Sequence, residues 1–183
     1  MATVLVPLAQ GCEELEAVTI VDLLRRAGIT VVTAGLDERP VTASRGTVLV
    51  PDTTLDEALA QDYDMVVLPG GLPGADHLDN DTRVTGLLKQ MAADGKYTAA
   101  ICAAPKVLAS SGLLEGKRVT SYPGVLQPES VPGMDYVDET VVTDDKVITS
   151  RGPGTAMDFA LQLIDALAGA DKRNEVEAGL QRP

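Results

Sequence analysis

Apolar and polar positions follow two alternating periods along this chain. Residues 3–8, "TVLVPL", form a short apolar run that predicts a buried strand. Residues 13–28, "EELEAVTIVDLLRRAG", carry Leu15, Val18, Val21 and Leu24 or Arg25 at helical spacing, and Gly28 reads as the stop. "ITVVTAGL" (29–36) is strand-like, and "RPVTASRGTVLVPD" (39–52) predicts a β-hairpin with "SRG" near its turn. A short helix is expected at 54–60, then a buried strand at 64–71 running into a glycine turn. Residues 81–95 have an acidic start, helical spacing and a Gly stop. "YTAAIC" (97–102) is the next strand, and "APKVLASSG" (104–112) the next helix. Strand-like segments at 117–123 and 135–150, a helix at 154–169 and a weaker helix or tail complete the chain.

Repeated strand–helix–strand units predict a mostly parallel sheet with helices on both faces. The expected fold is α/β: a flavodoxin-like three-layer sandwich, doubly wound, with a small β-hairpin. No linker or repeat interrupts it, so one domain is expected over residues 1–183. In such sheets the ligand crevice lies beyond the carboxyl ends of the strands. Three loops fall there: "PLAQGCEELE", "LPGGLPGA" and "ICAAP".

Composition narrows the setting. The chain has 183 residues, 45% of them hydrophobic, with no Trp and one Phe, so aliphatic packing must dominate. The formal net charge of −12 repels polyanions, and no nucleic-acid partner is expected. The N-terminus lacks a basic region, and its apolar run is too short for a signal peptide or membrane span. Two cysteines, Cys12 and Cys102, make no disulfide framework and suit a reducing compartment. A cytoplasmic protein without membrane contact is expected. Two cysteines and one histidine without clustered spacing support no metal site.

Cys102 lies in "TAAICAAP", between a strand and a helix. One reading is a small buried hydrophobe. The other is a nucleophile elbow: Ala100, Ala103 and Ala104 suit a crowded turn, and Pro105 suits a first helical turn. There the helix N-terminus would lower the thiol pKa, and the Ala103 N–H would face an oxyanion. Gly70 and Gly71 could bring further N–H groups close to a substrate, or form an ordinary turn. "PGGLPGA" lacks the lysine and spacing of a phosphate loop. Glu13, Glu14 and Glu16 suit a helix start, while Glu16 turned inward would be a general acid/base with a raised pKa. His77, in "GADHLDN", is assigned to the rim.

"GCEELEAVTIVDLLRRAG", "ASRG", "VVLPGG", "AAICAAP" and "TSRGPGTAMDFAL" occur in this order, between about residues 3 and 170. Together they closely resemble the DJ-one branch of the DJ-one/PfpI/ThiJ superfamily. The resemblance implies a homodimer, an oxidation-prone nucleophile at Cys102, and a protonated glutamate at Glu16 bonded to its sulfur. It implies oxyanion-side backbone groups at Gly71 and Ala103, and a pocket including Gly70. It also implies arginines near the pocket and dimer contact at Arg45 and Arg151, with Asp22 nearby. The activities implied are cofactor-free conversion of methylglyoxal or glyoxal to hydroxy acids, deglycation of their early adducts, and redox-regulated chaperoning. The substrates would be small aldehydes.

Three departures from the family pattern matter. Ala103 stands where protease-like branches carry histidine, which argues against a peptidase. Tyr122 stands where the pattern often has a pocket histidine; a phenol of pKa about 10 donates hydrogen bonds but shuttles protons poorly at neutral pH. Ala43 and Val50 replace other pattern cysteines, which concentrates any redox response on Cys102, with Cys12 as the second candidate. Two readings follow: a Cys102/Glu16 glyoxalase or deglycase without metal or cofactor, or a redox sensor or chaperone with little catalysis.

Overall fold

The computed structural model describes residues 1–183. In chain order its elements are β1 (Thr3–Leu8), α1 (Glu14–Arg26), β2 (Thr30–Gly35), β3 (Val41–Thr42), β4 (Val48–Leu49), β5 (Thr53–Thr54), α2 (Leu55–Ala58), β6 (Met65–Leu68), α3 (Gly74–Asn80), α4 (Thr82–Ala93), β7 (Tyr97–Ile101), α5 (Pro105–Ser110), β8 (Arg118–Val119), β9 (Asp135–Tyr136), β10 (Val141–Asp144), β11 (Val147–Ser150), α6 (Ala156–Ala168) and α7 (Ala170–Gly179).

Seven strands form the central sheet in the order β10-β11-β7-β6-β1-β2-β5. Only the β10–β11 pairing is antiparallel. Strand alternation sends successive side chains to opposite faces. Val4, Val6, Met65, Val67, Ala99 and Ile101 face one core with α1 and α6. Leu5, Val66, Leu68 and Ala100 face the other, with α2 to α5. This is the expected flavodoxin-like three-layer sandwich. The hairpin is also present, as β3 paired antiparallel with β4.

Local chemistry explains the helix ends. In α1, Glu14 and Glu16 occupy the first turn and Arg25 and Arg26 the last, matching the helix dipole. Asp81 caps α4 by accepting from the Arg83 N–H at 2.9 Å. Pro105 opens α5, where a missing N–H costs little.

Three expectations needed correction. The inward face of α1 carries Glu16, Ala17, Ile20, Leu23 and Leu24, whereas Leu15 and Val18 are 50% and 51% exposed. The helix has apolar residues on two sides, so spacing did not identify the packed one. Residues 117–123 do not extend the main sheet: β8 is two residues long and pairs with β9 in a separate ribbon. Residues 74–80, treated as loop, form α3, with Ala75 and Leu78 buried. Two inward positions in seven residues carry too little periodicity to announce a helix. The tail segment is helical, as α7.

Phe159, the one phenylalanine, is fully buried on α6. Phe159→Ala should cost about 3–5 kcal/mol, read as a lower denaturant midpoint at unchanged slope. A loss below about 1 kcal/mol would contradict this packing.

Candidate functional site

The strand order reverses between β1 and β6, so their following loops part and leave a crevice. There the loops after β1, β6 and β7 interlock through backbone. The Glu13 N–H donates to the Gly70 carbonyl at 2.8 Å, and the Gly70 N–H donates to Glu16 Oε2 at 2.8 Å. A Cβ on Gly70 would lie 2.6 Å from the Cys102 Cβ and 2.9 Å from the Ala103 nitrogen. Gly71 has φ +86°, and a Cβ there would strike the backbone of Gly11, Cys12 and Glu13. Only glycine permits both approaches.

Cys102 sits between β7 and α5 at φ +64°, in the left-handed region that non-glycine residues rarely occupy. Such a conformation costs about 1–3 kcal/mol and persists only when its surroundings hold it. Here the Cys102 N–H donates to the Ser150 carbonyl at 3.0 Å, and its carbonyl accepts from the Tyr122 N–H at 2.9 Å. Ser150 is tied down in turn, its hydroxyl donating to the Thr140 carbonyl at 2.7 Å and lying 2.7 Å from the Thr155 hydroxyl oxygen. The elbow expected from "AAICAAP" is therefore present.

Glu16 is fully buried, and its carboxyl lies close enough to the Cys102 thiol for each to shift the other's titration. Its Oε1 has no hydrogen-bond partner. Burial pushes this carboxyl up to about 7, with the Glu13 charge adding, while the Gly70 N–H and the thiol pull it back. Burial also pushes the Cys102 thiol up, to about 12, reinforced by the charge and hydrogen bond of Glu16. The N–H groups of Gly71 and Ala103 face the sulfur and oppose that rise. The expected lowering by a helix N-terminus is thus outweighed by desolvation and a like-charged neighbour. The carboxyl and thiol titrate as one coupled pair.

The remaining predicted residues lie at different distances from the sulfur. The Tyr122 ring is half exposed and rests against Gly152, whose added Cβ would lie 3.3 Å from Tyr122 Cδ2. Arg151 is ion-paired with Asp138. Tyr122 and Arg151 line a cleft of about 440 Å³ together with Pro123, Asp138 and the segment 152–155. Arg45 is exposed; its N–H donates to Glu14 Oε1 at 3.0 Å, fastening the hairpin turn to α1. The structure does not bring Asp22 to the thiol. It lies six residues beyond Glu16 on α1, about 9 Å along the axis, and is paired with Arg26. His77, read from the sequence as a surface or rim residue, is exposed on α3 and borders a cavity of about 260 Å³ with Gln10 and Asn80.

Glu13 and Ser44 had not been singled out together. Glu13 is 9% exposed and accepts from the Ser44 hydroxyl at 2.8 Å. The available signal was the spacing of Glu13 and Glu16, three apart on one helical face. Glu14 behaves differently. Desolvation, the largest single influence, raises it, but N–H groups of its own, Arg45 and Thr47 and the Ser44 hydroxyl together outweigh that and hold it at about 2. No group of three or more His, Cys, Asp or Glu side chains is placed to hold a metal ion. No helix is long and apolar enough to cross a membrane.

The family model described as "DJ-1/PfpI family" matches residues 2–166. Protein dj-1beta of Drosophila melanogaster is 48% identical over 178 residues, covering 96% of this chain and 95% of its own. The glutathione-independent glyoxalase DJR-1.2 of Caenorhabditis elegans is 37% identical over 96% of this chain and 92% of its own. The crystal structure of Drosophila DJ-1beta superposes with a TM-score of 0.93 at 45% identity, covering 100% of this chain and 98% of that one. The oxidised DJ-1 of Toxoplasma gondii gives 0.93 at 38% identity, over 98% of both chains. With the matched family model covering most of its length and these relatives nearly all of it, the chain belongs to the DJ-1/PfpI family.

Proposed function

We propose that this protein is a cysteine-dependent, cofactor-free glyoxalase or deglycase acting on methylglyoxal, glyoxal or their early adducts. The observation that carries the reading is the buried Glu16–Cys102 pair beneath the N–H groups of Gly71 and Ala103. A relative named as a glutathione-independent glyoxalase supports it.

One proton shared by the pair can sit on sulfur or on Glu16. When Glu16 holds it, the sulfur is a thiolate facing two N–H donors. That thiolate adds to the aldehyde carbon, a C–S bond forms, and the carbonyl electrons move to oxygen. The oxyanion lies where the Gly71 and Ala103 N–H groups can steady it. Protonated there, it is a hemithioacetal. Glu16, ionised by giving its proton to that oxyanion, takes the proton from that carbon and delivers it to the neighbouring keto carbon, while the hydroxyl proton passes to the keto oxygen. The product is the thioester of a 2-hydroxy acid. Water then cleaves the C–S bond, releasing the acid and restoring the thiol. The sum is an α-oxoaldehyde plus water giving a 2-hydroxy acid, with no external oxidant or reductant.

A second reading has its own support. Glu16 Oε1 is buried without a hydrogen-bond partner in a carboxyl whose titration is linked to the Cys102 thiol, so a proton there could bond an oxygen added to Cys102. In that case the protein records oxidation, as a sensor or redox-regulated chaperone. Free thiols at Cys12 and Cys102 suit a reducing compartment such as the cytoplasm.

A homodimer belongs to the same proposal. Leu15, Val18, Val48 and Val50 are all at least half exposed. A groove of about 540 Å³ beside them is lined by Val18, Val21, Leu49 and Val50, with Asp22 and Arg26 among its polar residues. Exposed apolar side chains at such a groove suit an interface with a second copy of the chain.

Wild-type protein should form lactate from methylglyoxal without cofactor, and Cys102→Ala should abolish it. Lactate at the wild-type rate from that variant would remove the assignment. Selective gain of two oxygens on Cys102 after mild peroxide, with negligible lactate, would favour the sensor. Glu16→Gln should change two readouts in opposite directions. Lactate formation should fall by about 10²–10⁴-fold. The thiol should titrate lower and alkylate faster at about pH 8, because the carboxylate that holds it up is gone. In the wild type that suppression sets in as pH rises through about 7, where Glu16 loses its proton. An unchanged thiol pKa in the variant would count against the contact. Val50→Glu should convert a dimer to monomers in light scattering; a monomeric wild type would end that part of the proposal.

A further inference from the structure

Glu13 stands at the N-cap of α1, yet its side chain does not cap the helix. An N-cap side chain normally accepts from an N–H of the first turn. The Glu13 carboxylate is engaged by the β3–β4 hairpin instead, where the Ser44 hydroxyl donates to Oε2 at 2.8 Å. That hydroxyl is its only donor, although Glu13 is just 9% exposed. A hydroxyl has one proton to give. Glu14 Oε2 lies farther from it, at 3.1 Å, and Glu14 is already served by the N–H groups of Arg45 and Thr47. The backbone fixes both partners. The Ser44 N–H donates to the Cys12 carbonyl at 2.8 Å, and the Glu13 N–H donates to the Gly70 carbonyl. Gly70 in turn donates to Glu16, so one loop residue ties the two carboxyl-bearing positions together. Three residues apart at a helix start, their Cβ atoms lie about 5–6 Å from each other.

We propose that Ser44 and Glu13 are positioning residues for the site: Ser44 holds the Glu13 carboxylate inward, and that charge keeps the proton on Glu16. The inference rests on Glu16 being the acid/base partner of Cys102. The surroundings of Glu16 leave Glu13 as the charge that acts on it. On α1, Glu14 is bonded to the hairpin turn. On the loop after β1, the Cys12 thiol is pushed up to about 12, chiefly by burial, and is neutral at physiological pH. On the hairpin, Arg45 is exposed. Residues 69–73 of the loop after β6 carry no charged side chain. α6 contributes apolar side chains, Ala156, Phe159, Ala160 and Leu163, to the core it shares with α1. The Glu13 charge raises Glu16 but is not among the influences on the Cys102 thiol, so it reaches the sulfur through Glu16. Without Ser44, the Glu13 carboxylate would be a nearly buried charge lacking a partner, and would take up a proton or turn to water. Either change removes the charge from beside Glu16.

The test follows the Glu16 carboxyl signal against pH by carbon NMR on protein carrying isotope-labelled glutamate. The signal is identified by its loss in Glu16→Gln. In the wild type it should titrate near about pH 7. Glu13→Gln keeps the shape and removes the charge, and should move that midpoint down by about half a pH unit or more. Ser44→Ala should move it the same way, while Ser44→Thr, which keeps the hydroxyl, should leave it near the wild-type value. The thiol gives a second readout. At about pH 7, Cys102 should alkylate about twofold more slowly in Glu13→Gln, because more of the Glu16 beside it is ionised. Glu16→Gln speeds the same reaction, so two substitutions one helical turn apart act in opposite directions. A merely structural role would lower the denaturant midpoint of Glu13→Gln or Ser44→Ala and leave the Glu16 titration in place; that outcome would overturn the proposal. Neither readout needs turnover. If no aldehyde is converted, the glyoxalase reading fails, and the carboxyl titration still decides the role of Ser44 and Glu13. Where lactate forms, its pH profile should move down with the Glu16 midpoint in Glu13→Gln, and a wild-type profile would count against the pair.

Discussion

Gly70 is bonded in both directions to one helix turn. Its carbonyl accepts from Glu13 and its N–H donates to Glu16, while its missing side chain leaves room for the Cys102 elbow. Three loops from three strands are thereby fixed against each other through main-chain atoms. A substituent at Gly70 would force Cys102, Ile101 or Ala103 to move. The proposed nucleophile, its carboxyl neighbour and two N–H donors all depend on that contact.

The site combines several unfavourable features. Cys102 has a left-handed backbone, Glu16 is a fully buried carboxyl, and both groups are pushed towards their neutral forms. Each is offset locally. Hydrogen bonds to the Ser150 carbonyl and from the Tyr122 N–H hold the elbow, and the Gly70 N–H satisfies one oxygen of Glu16. Burial acts on the two groups together, so the pair keeps a proton that exposed groups would share with water. Cys12 shows that burial alone does not make such a site. Its thiol is also pushed up to about 12, chiefly by burial, but it occupies neither a strand–helix elbow nor a carboxyl hydrogen bond.

Much of this was legible in the residues. Short apolar runs alternating with helical spacing define a doubly wound sheet, because only buried strands tolerate such runs. The strand-end rule then points to the "GCEELE", "LPGG" and "ICAAP" loops before any contact is known. Tyr122 and Arg151 follow from the family pattern, and they line one cleft. Other features were not legible. The packed face of α1 was ambiguous because apolar residues lie on both sides, and α3 was too short to show a period. Asp22, placed near Arg45 and Arg151 by the family resemblance, lies on α1 paired with Arg26.

The sequence by itself determined the alternation of elements, the loops that meet at the strand ends, and the residue types available there. Those depend on local periodicity and on the covalent limits of glycine and proline. Tertiary structure decided which side of α1 is buried, how the Cys102 and Glu16 proton affinities move, and which distant segments hold the elbow. These depend on desolvation and on contacts between distant segments. "TAAICAAP" specifies a cysteine in a turn; the protein packed around it sets the charge that cysteine carries.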